Sequence, residues 1–361
     1  MVPGAQQLEL LRRLNAVGTP DPALVDRVLA ASAPGRGRPD LELVGADSGS
    51  RFGPAPVDPG ALPDDELVRV ATLLLAEDLV AADTGEGSGD PGTDDSVARV
   101  VGDTGSRLAR WARWRPGRTQ YRLVGDPWVA DGVRTQLERR GHPAGGRGAV
   151  VLVLASDLAT LLAHRWTDLS FRTGASPAPW TTWLETQAGR RAGGALDVSV
   201  AADRWVQRVG PDRVRVVTDL DLLPGLLRTG PVAAPALPAV HATELARRVS
   251  AALALLVLPD RGRRLLRGVL LPRLLEEPGA ALSIPPEHHR WVARRSRRIR
   301  EEVSRRGYPV VGDPDVLVDR PRLLAAATPG LPESGPVLDL AVRLLLEHGS
   351  THGSRGRGDG R

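Results

Sequence analysis

The chain has 361 residues, 42% of them hydrophobic and 25% charged, enough for one large domain or two ordinary ones around a substantial core, and reads as soluble and globular. It has no cysteine, and all 48 of its basic residues are arginine. Disulfides, thiolate metal sites, cysteine nucleophiles, lysine Schiff bases and the lysine of a Walker-type phosphate loop are thereby excluded. The formal charge of +5 points only weakly to a polyanionic partner, because high Ala, Arg, Gly and Pro without lysine matches the drift of a GC-rich bacterial genome.

Met1–Ala16 mixes acidic and basic residues where a signal peptide would be apolar. The longest aliphatic tract, Ala251–Leu258, is too short to span a bilayer. A cytoplasmic protein without a membrane span is expected. The leucines at 8, 11 and 14 with Val17, then Leu24, Val25, Val28 and Leu29 after Pro-Asp-Pro, predict two short helices. Gly, Pro, Ser and Asp dominate from Pro34 to Pro63, a loop with at most a short strand over Leu41–Val44. Pro63-Asp64-Asp65-Glu66 opens a helix over Leu67–Ala82, with proline and acids in the first turn as the helix dipole prefers.

The acidic, glycine-rich run Asp83–Asp95 fits no EF-hand spacing and reads as a linker. The segment Arg107–Arg118 interleaves arginine with Trp111 and Trp114, either to stack on bases or to pack aromatics under the following unit with the arginines reaching outward. That unit is the best-defined part of the chain. A strand over Tyr121–Val124, a turn at Gly125-Asp126-Pro127, a helix over Val129–Arg140, a glycine-rich turn over Gly141–Gly148, a strand over Ala149–Leu154 and a helix from Asp157 make a βαβα arrangement. Gly145–Gly148 precedes a strand rather than opening a helix, so it is a turn and not a dinucleotide loop.

Trp180 and Trp183 start a short core helix, Val198–Val209 is a helix with Trp205 on its buried side, and Val214–Thr218 is a further strand. This alternation predicts a parallel sheet with right-handed crossovers. Helices follow over Thr243–Leu258, Arg261–Leu275 and Pro286–Arg306. On the last of these Arg290, Arg294 and Arg298 share a face at i, i+4, either a phosphate-binding stripe or a solvated helix face. A turn and short strand at Gly307–Asp313, an amphipathic helix over Val337–Glu347 and an Arg-Gly tail close the chain.

The run Val150–Leu158 through His164-Arg165-Trp166 and Arg172-Thr173-Gly174, then Trp180-x-x-Trp183-Leu184, Arg204-Trp205-x-x-Arg208-Val209-Gly210-Pro211-Asp212-Arg213-Val214, Glu244-Leu245-x-Arg247-Arg248-Val249, Pro285-Pro286-Glu287-x-x-x-Trp291 and Gly307-Tyr308-x-Val310-Val311-Gly312-Asp313, together resemble the bacterial, especially actinobacterial, PAPS-dependent sulfotransferase-like family. The likeness covers roughly residues 120 to 318 and implies an α/β fold of P-loop NTPase/sulfotransferase type, a parallel sheet flanked by helices. The organisation expected is a mostly helical region over 1–115 with linkers at 34–62 and 83–96, the α/β domain over 116–325, a C-terminal helix over 326–348 and a disordered tail over 349–361.

The resemblance also locates a nucleotide site, and there the chain departs from the family. The family's phosphate loop, a strand followed by K-[TS]-G-T-T, would fall after Tyr121–Gly125, where this chain has Asp126-Pro127-Trp128-Val129-Ala130-Asp131-Gly132. Its second phosphate segment would carry an arginine at Ser156 and a serine at His164. Gly125, Trp128, Asp131, Ser156 and His164 are thus the degenerate cofactor positions. With two phosphate contacts gone no cofactor is expected, PAPS being the one the resemblance implies. The resulting expectation is a protein that has lost sulfate transfer and serves as a binding or partner protein, for a protein partner or an active relative. Two alternatives stay open: an active transferase that holds nucleotide phosphates with Arg122, Arg134, Arg165 or Arg172, and a nucleic-acid-binding protein working through 286–306. His164 and Asp168, at i, i+4, could also meet as a base with its orienter or as two metal ligands; His288 and His289 are adjacent and cannot share a helical face.

Overall fold

In β2 (Val150–Leu154) the side chains of Val151 and Val153 enter one apolar cluster and those of Leu152 and Leu154 another, as the two-residue period of a strand buried on both faces requires. A computed structural model of the chain describes residues 4–31, 58–86, 119–146, 148–189, 196–318 and 330–355. It places β2 between β1 (Tyr121–Gly125) and β3 (Val214–Val217), with β4 (Val310–Val311) beyond β3. All three pairings are parallel, with Tyr121 opposite Val150 and Gly125 opposite Leu154. The order β1-β2-β3-β4 never reverses, so the four strands contain no topological switch point of the kind at which doubly wound sheets bind ligands.

Helices cover both faces. Val129, Ala130, Val133 and Leu137 of α4 (Pro127–Arg139) pack with Tyr121, Leu123, Leu152 and Leu154. The other face is covered by α5 (Leu158–Ser170), α6 (Trp180–Gly189), α7 (Val198–Val209) and α12 (Pro286–Arg306). Trp180 meets Trp166 edge-to-face and stacks on Trp183 there, with centroids 5.5 and 5.6 Å apart. A third core is purely helical. It joins α1 (Ala5–Val17), α2 (Pro22–Ala30), α3 (Asp64–Glu86), α9 (Val240–Leu253) and α13 (Ser334–Arg355), and α9 also packs on α5.

The boundaries differ from expectation where proline and glycine intervene. The helix expected to reach Leu258 stops at Leu253, because Leu258 precedes Pro259 and leaves the α region to cap α10 (Pro259–Leu265) with φ −64° and ψ 151°. The helix expected over Arg261–Leu275 is three pieces: α10, a π-turn at Leu266–Leu270 and α11 (Leu271–Leu275). Pro272 lacks the N–H that would bond back to Gly268, so the ladder widens there. The segment Leu223–Leu227 forms a further short helix, α8. Trp205 packs, partly buried, against the apolar cluster under its helix as expected, and the guanidinium groups of Arg122 and Arg208 lie 5.9 and 5.4 Å from its ring centroid. The helix read to end at Ala82 continues to Glu86, and the last helix continues to Arg355. The strand Leu41–Val44, most of both linkers, the Arg107–Arg118 segment and residues 356–361 lie outside the described residues.

Tyr121 anchors β1: its ring is 1% exposed and its hydroxyl donates to His142 O at 2.6 Å. Burial pushes its phenol up to about 12, and burial raises Tyr308 as well. Between the ordinary tyrosine value near about 10 and that raised value the unfolded chain releases a proton that the native chain retains, so stability falls as pH rises through this window. In an ultraviolet titration of the native protein tyrosinate absorbance is expected to lag that of the urea-unfolded chain; coincident curves would contradict the burial.

Candidate functional site

Between β1 and α4 the chain spends a single residue, Asp126, and that residue organises the site. Gly125 ends the strand at φ 98°, and a Cβ there would lie 2.2 Å from Leu154 O, so only glycine permits so close a turn. Asp126 N–H donates to Leu154 O at 2.9 Å, continuing the ladder, and Asp126 O accepts the first helical bond from Ala130 N–H. Its Oδ1 accepts from Trp128 N–H and Val129 N–H, both at 3.2 Å. Since Pro127 has no N–H, all the backbone donors of the first turn are occupied from within.

The other oxygen of the same carboxylate faces β2 and α5. Oδ2 accepts from the Ser156 hydroxyl at 3.0 Å and lies 2.6 Å from His164 Nδ1. Asp126 is 1% and His164 8% exposed. A carboxylate accepts only, so Nδ1 is the donor in this bond. The four lone-pair positions of Asp126 are then all used. Ser156 and His164 bond to Asp126 and not to each other, so the nucleophile–base link of a Ser-His-Asp triad is missing.

His164 and Thr160 line two cavities. One, of about 290 Å³, opens at the carboxyl ends of β2 and β3 between Leu154, Ser156, Val217 and Thr218. The other, of about 250 Å³, lies towards Leu237, Pro238 and Glu277. Neither lining contains an arginine. Asp157, in the wall of the first, caps α5 through Oδ1 to Thr160 N–H and accepts the Thr160 hydroxyl through Oδ2. Among the described residues no group of three metal-ligating side chains comes together.

Of the five positions singled out from the sequence, Gly125, Ser156 and His164 converge on Asp126, whereas Trp128 and Asp131 face elsewhere. Trp128 is 3% exposed, packs on Phe171 at 5.8 Å, and donates from Nε1 to Ala236 O at 3.2 Å. Asp131 pairs with Arg134 and Arg267 on the outer side of α4. The His164–Asp168 pairing does not form: His164 takes Asp126, while Asp168 takes three arginines. Asp126 itself was read only as a turn residue, although an aspartate before Pro at a strand-to-helix step is an N-cap signal.

These residues do not fit a PAPS phosphate. A phosphate loop works by offering free backbone N–H groups and a cation to the anion, and here the N–H groups of the turn are bonded to a carboxylate that would repel one. Removing that carboxylate with Asp126→Ala is expected to cost about 2–4 kcal/mol, combining a lost cap with two orphaned buried donors, against about 1 kcal/mol for Ser156→Ala. Urea denaturation measures both, and equal losses would show that Asp126 does not hold the site together.

No protein-family model, curated protein or solved structure matches this chain.

Proposed function

We propose that the chain is a sulfotransferase-like α/β protein that no longer carries out PAPS-dependent sulfate transfer and acts as a binding or partner protein. One observation carries the reading: the Asp126 carboxylate occupies, with bonds to Trp128 N–H and Val129 N–H, the place at which a nucleotide phosphate would meet the helix. Such a turn keeps the architecture of an anion site while supplying its own anion. The cavity beside His164 at the strand ends has no arginine in its lining, which suits an uncharged or weakly polar group better than a phosphosulfate. In calorimetric titration PAPS and its desulfated product are expected to give no binding at micromolar concentration; micromolar affinity accompanied by sulfate transfer to any acceptor would overturn the proposal.

A second reading, a nucleic-acid interface, rests on α12. Arg295, Arg300, Arg305 and Arg306 of this helix have carboxylate partners, whereas Arg290, Arg294 and Arg298 are exposed and make no ion pair with the described residues. Three like charges at i, i+4 are mildly unfavourable on a free helix and become favourable against a row of phosphates. This reading expects retention on immobilised duplex DNA or RNA that weakens with salt and drops sharply in the R290Q/R294Q/R298Q triple variant. Retention unchanged by the substitutions would exclude it.

A further inference from the structure

On the outer side of α4 and α5, four guanidinium groups share two carboxylates. Asp168, fully buried, is approached by Arg172 at 2.8 Å, Arg267 at 2.6 Å and Arg165 at 3.4 Å. Arg267 reaches on to Asp131 at 3.3 Å, and Asp131 pairs with Arg134 at 2.8 Å. The network is continuous and carries an excess of two positive charges. It is built from distant parts of the chain: Arg165, Asp168 and Arg172 stand on one face of α5 and just past its end, Asp131 and Arg134 one turn apart on α4, and Arg267 comes from the π-turn Leu266–Leu270.

The placement of Arg267 is the most telling feature. Its guanidinium lies 5.2 Å over the Trp128 ring, a ring that is itself held by Phe171. Its Nε is shielded from solvent and has no hydrogen-bond partner. The four arginine side chains are still 23–36% exposed, so the cluster is covered enough to be electrostatically costly yet open to a ligand. Burial holds Arg165 below its ordinary value; Asp168 opposes this, and the neighbouring Arg172 adds to it more weakly. One carboxylate orients three planar forks, and each fork still has donors to spend.

We propose that Arg165, Arg172 and Arg267, positioned by Asp168, form a binding site for a doubly charged tetrahedral oxyanion, an inorganic phosphate or sulfate or the phosphate of a monoester. Two negative charges match the excess, and forked donors on a rigid, aromatic-backed frame suit a tetrahedral acceptor. The site lies apart from the Asp126–Ser156–His164 cavity; because PAPS and its desulfated product carry phosphate monoesters of their own, sulfate transfer rather than nucleotide binding is the readout that separates it from the function proposed above.

The test is a calorimetric titration of the full chain with sodium phosphate and with sodium sulfate, ionic strength being held constant with chloride, alongside thermal melts. The expected result is saturable binding, a melting temperature that rises with phosphate but not with equal chloride, and an affinity lower by about tenfold or more in R165Q and R172Q. Because either variant could disturb Asp168, R172K, which keeps the charge but loses the fork, and R134Q, whose arginine meets the half-buried Asp131 and Leu123 O but not Asp168, are measured beside them. R172K is expected to weaken binding and R134Q to change it by less than about threefold, a small fraction of a single charge-assisted bond. Methyl phosphate distinguishes the sources: binding as tight as inorganic phosphate marks a phosphorylated molecule, and binding only of the free anions marks an inorganic ligand. A melt that responds equally to chloride, or an affinity that survives both R165Q and R172Q, would overturn the site.

Discussion

The carboxylate of Asp126 ties together β1, α4, β2 and α5. One oxygen closes the first turn of α4, and the other collects a hydroxyl from the end of β2 and an imidazole from the middle of α5. Buried in this way a carboxylate is tolerable only if every lone pair is used, and here four donors meet it at the positive end of a helix dipole. The close turn at Gly125, the absence of a loop between β1 and α4, the orientation of His164 and the shape of the cavity at the strand ends all follow from that arrangement. The same economy removes the usual chemistry of a strand-to-helix turn: an anion site that contains its own anion has no room for a second one.

Arginine is the only cation available for the rest of the charge pattern, and the protein repeatedly uses it as a fork on a buried acid. Glu9 is met by Arg12 and Arg13, Glu244 by Arg247 and Arg248, and Asp168 by Arg165, Arg172 and Arg267. Hydrogen bonding to Arg12 foremost holds Glu9 below the usual carboxylate range. Most of these pairs are three or four residues apart on one helix and serve to neutralise an acid at a helix–helix contact. The Asp168 cluster departs from the pattern, since a third arginine arrives from a π-turn about a hundred residues away and leaves the charges unbalanced. An imbalance of that kind, at partly dry positions, has a cost that an anionic ligand would remove.

Much of the architecture was legible in local pattern. The strands Tyr121–Gly125, Val150–Leu154 and Val214–Val217, and the helices Val198–Val209 and Pro286–Arg306, lie where alternation, 3.6-residue period and Pro or Gly punctuation place them. Misreadings occurred where a breaker sits inside an apolar run, at Pro259 and Pro272, because the leucines around them keep a helical spacing that the backbone cannot follow. Of the positions singled out by the resemblance to sulfotransferase-like sequences, Ser156 and His164 meet at the Asp126 carboxylate through their side chains and Trp128 through its N–H, while the Trp128 ring packs on Phe171 and Asp131 pairs with arginines.

The sequence by itself determined the class of the fold, a parallel sheet between helices without a membrane-spanning helix among the described residues, and, through the absence of cysteine and lysine, which chemistries were ruled out. These are properties of composition and of spacing within a few residues, and they survive without knowledge of distant contacts. Only the tertiary structure decided what Asp126 and Asp168 do. Whether an aspartate also orients a histidine or gathers a distant arginine depends on groups 30 to 100 residues away, and hydrogen bonds over such separations form only after the core has brought their backbones into reach.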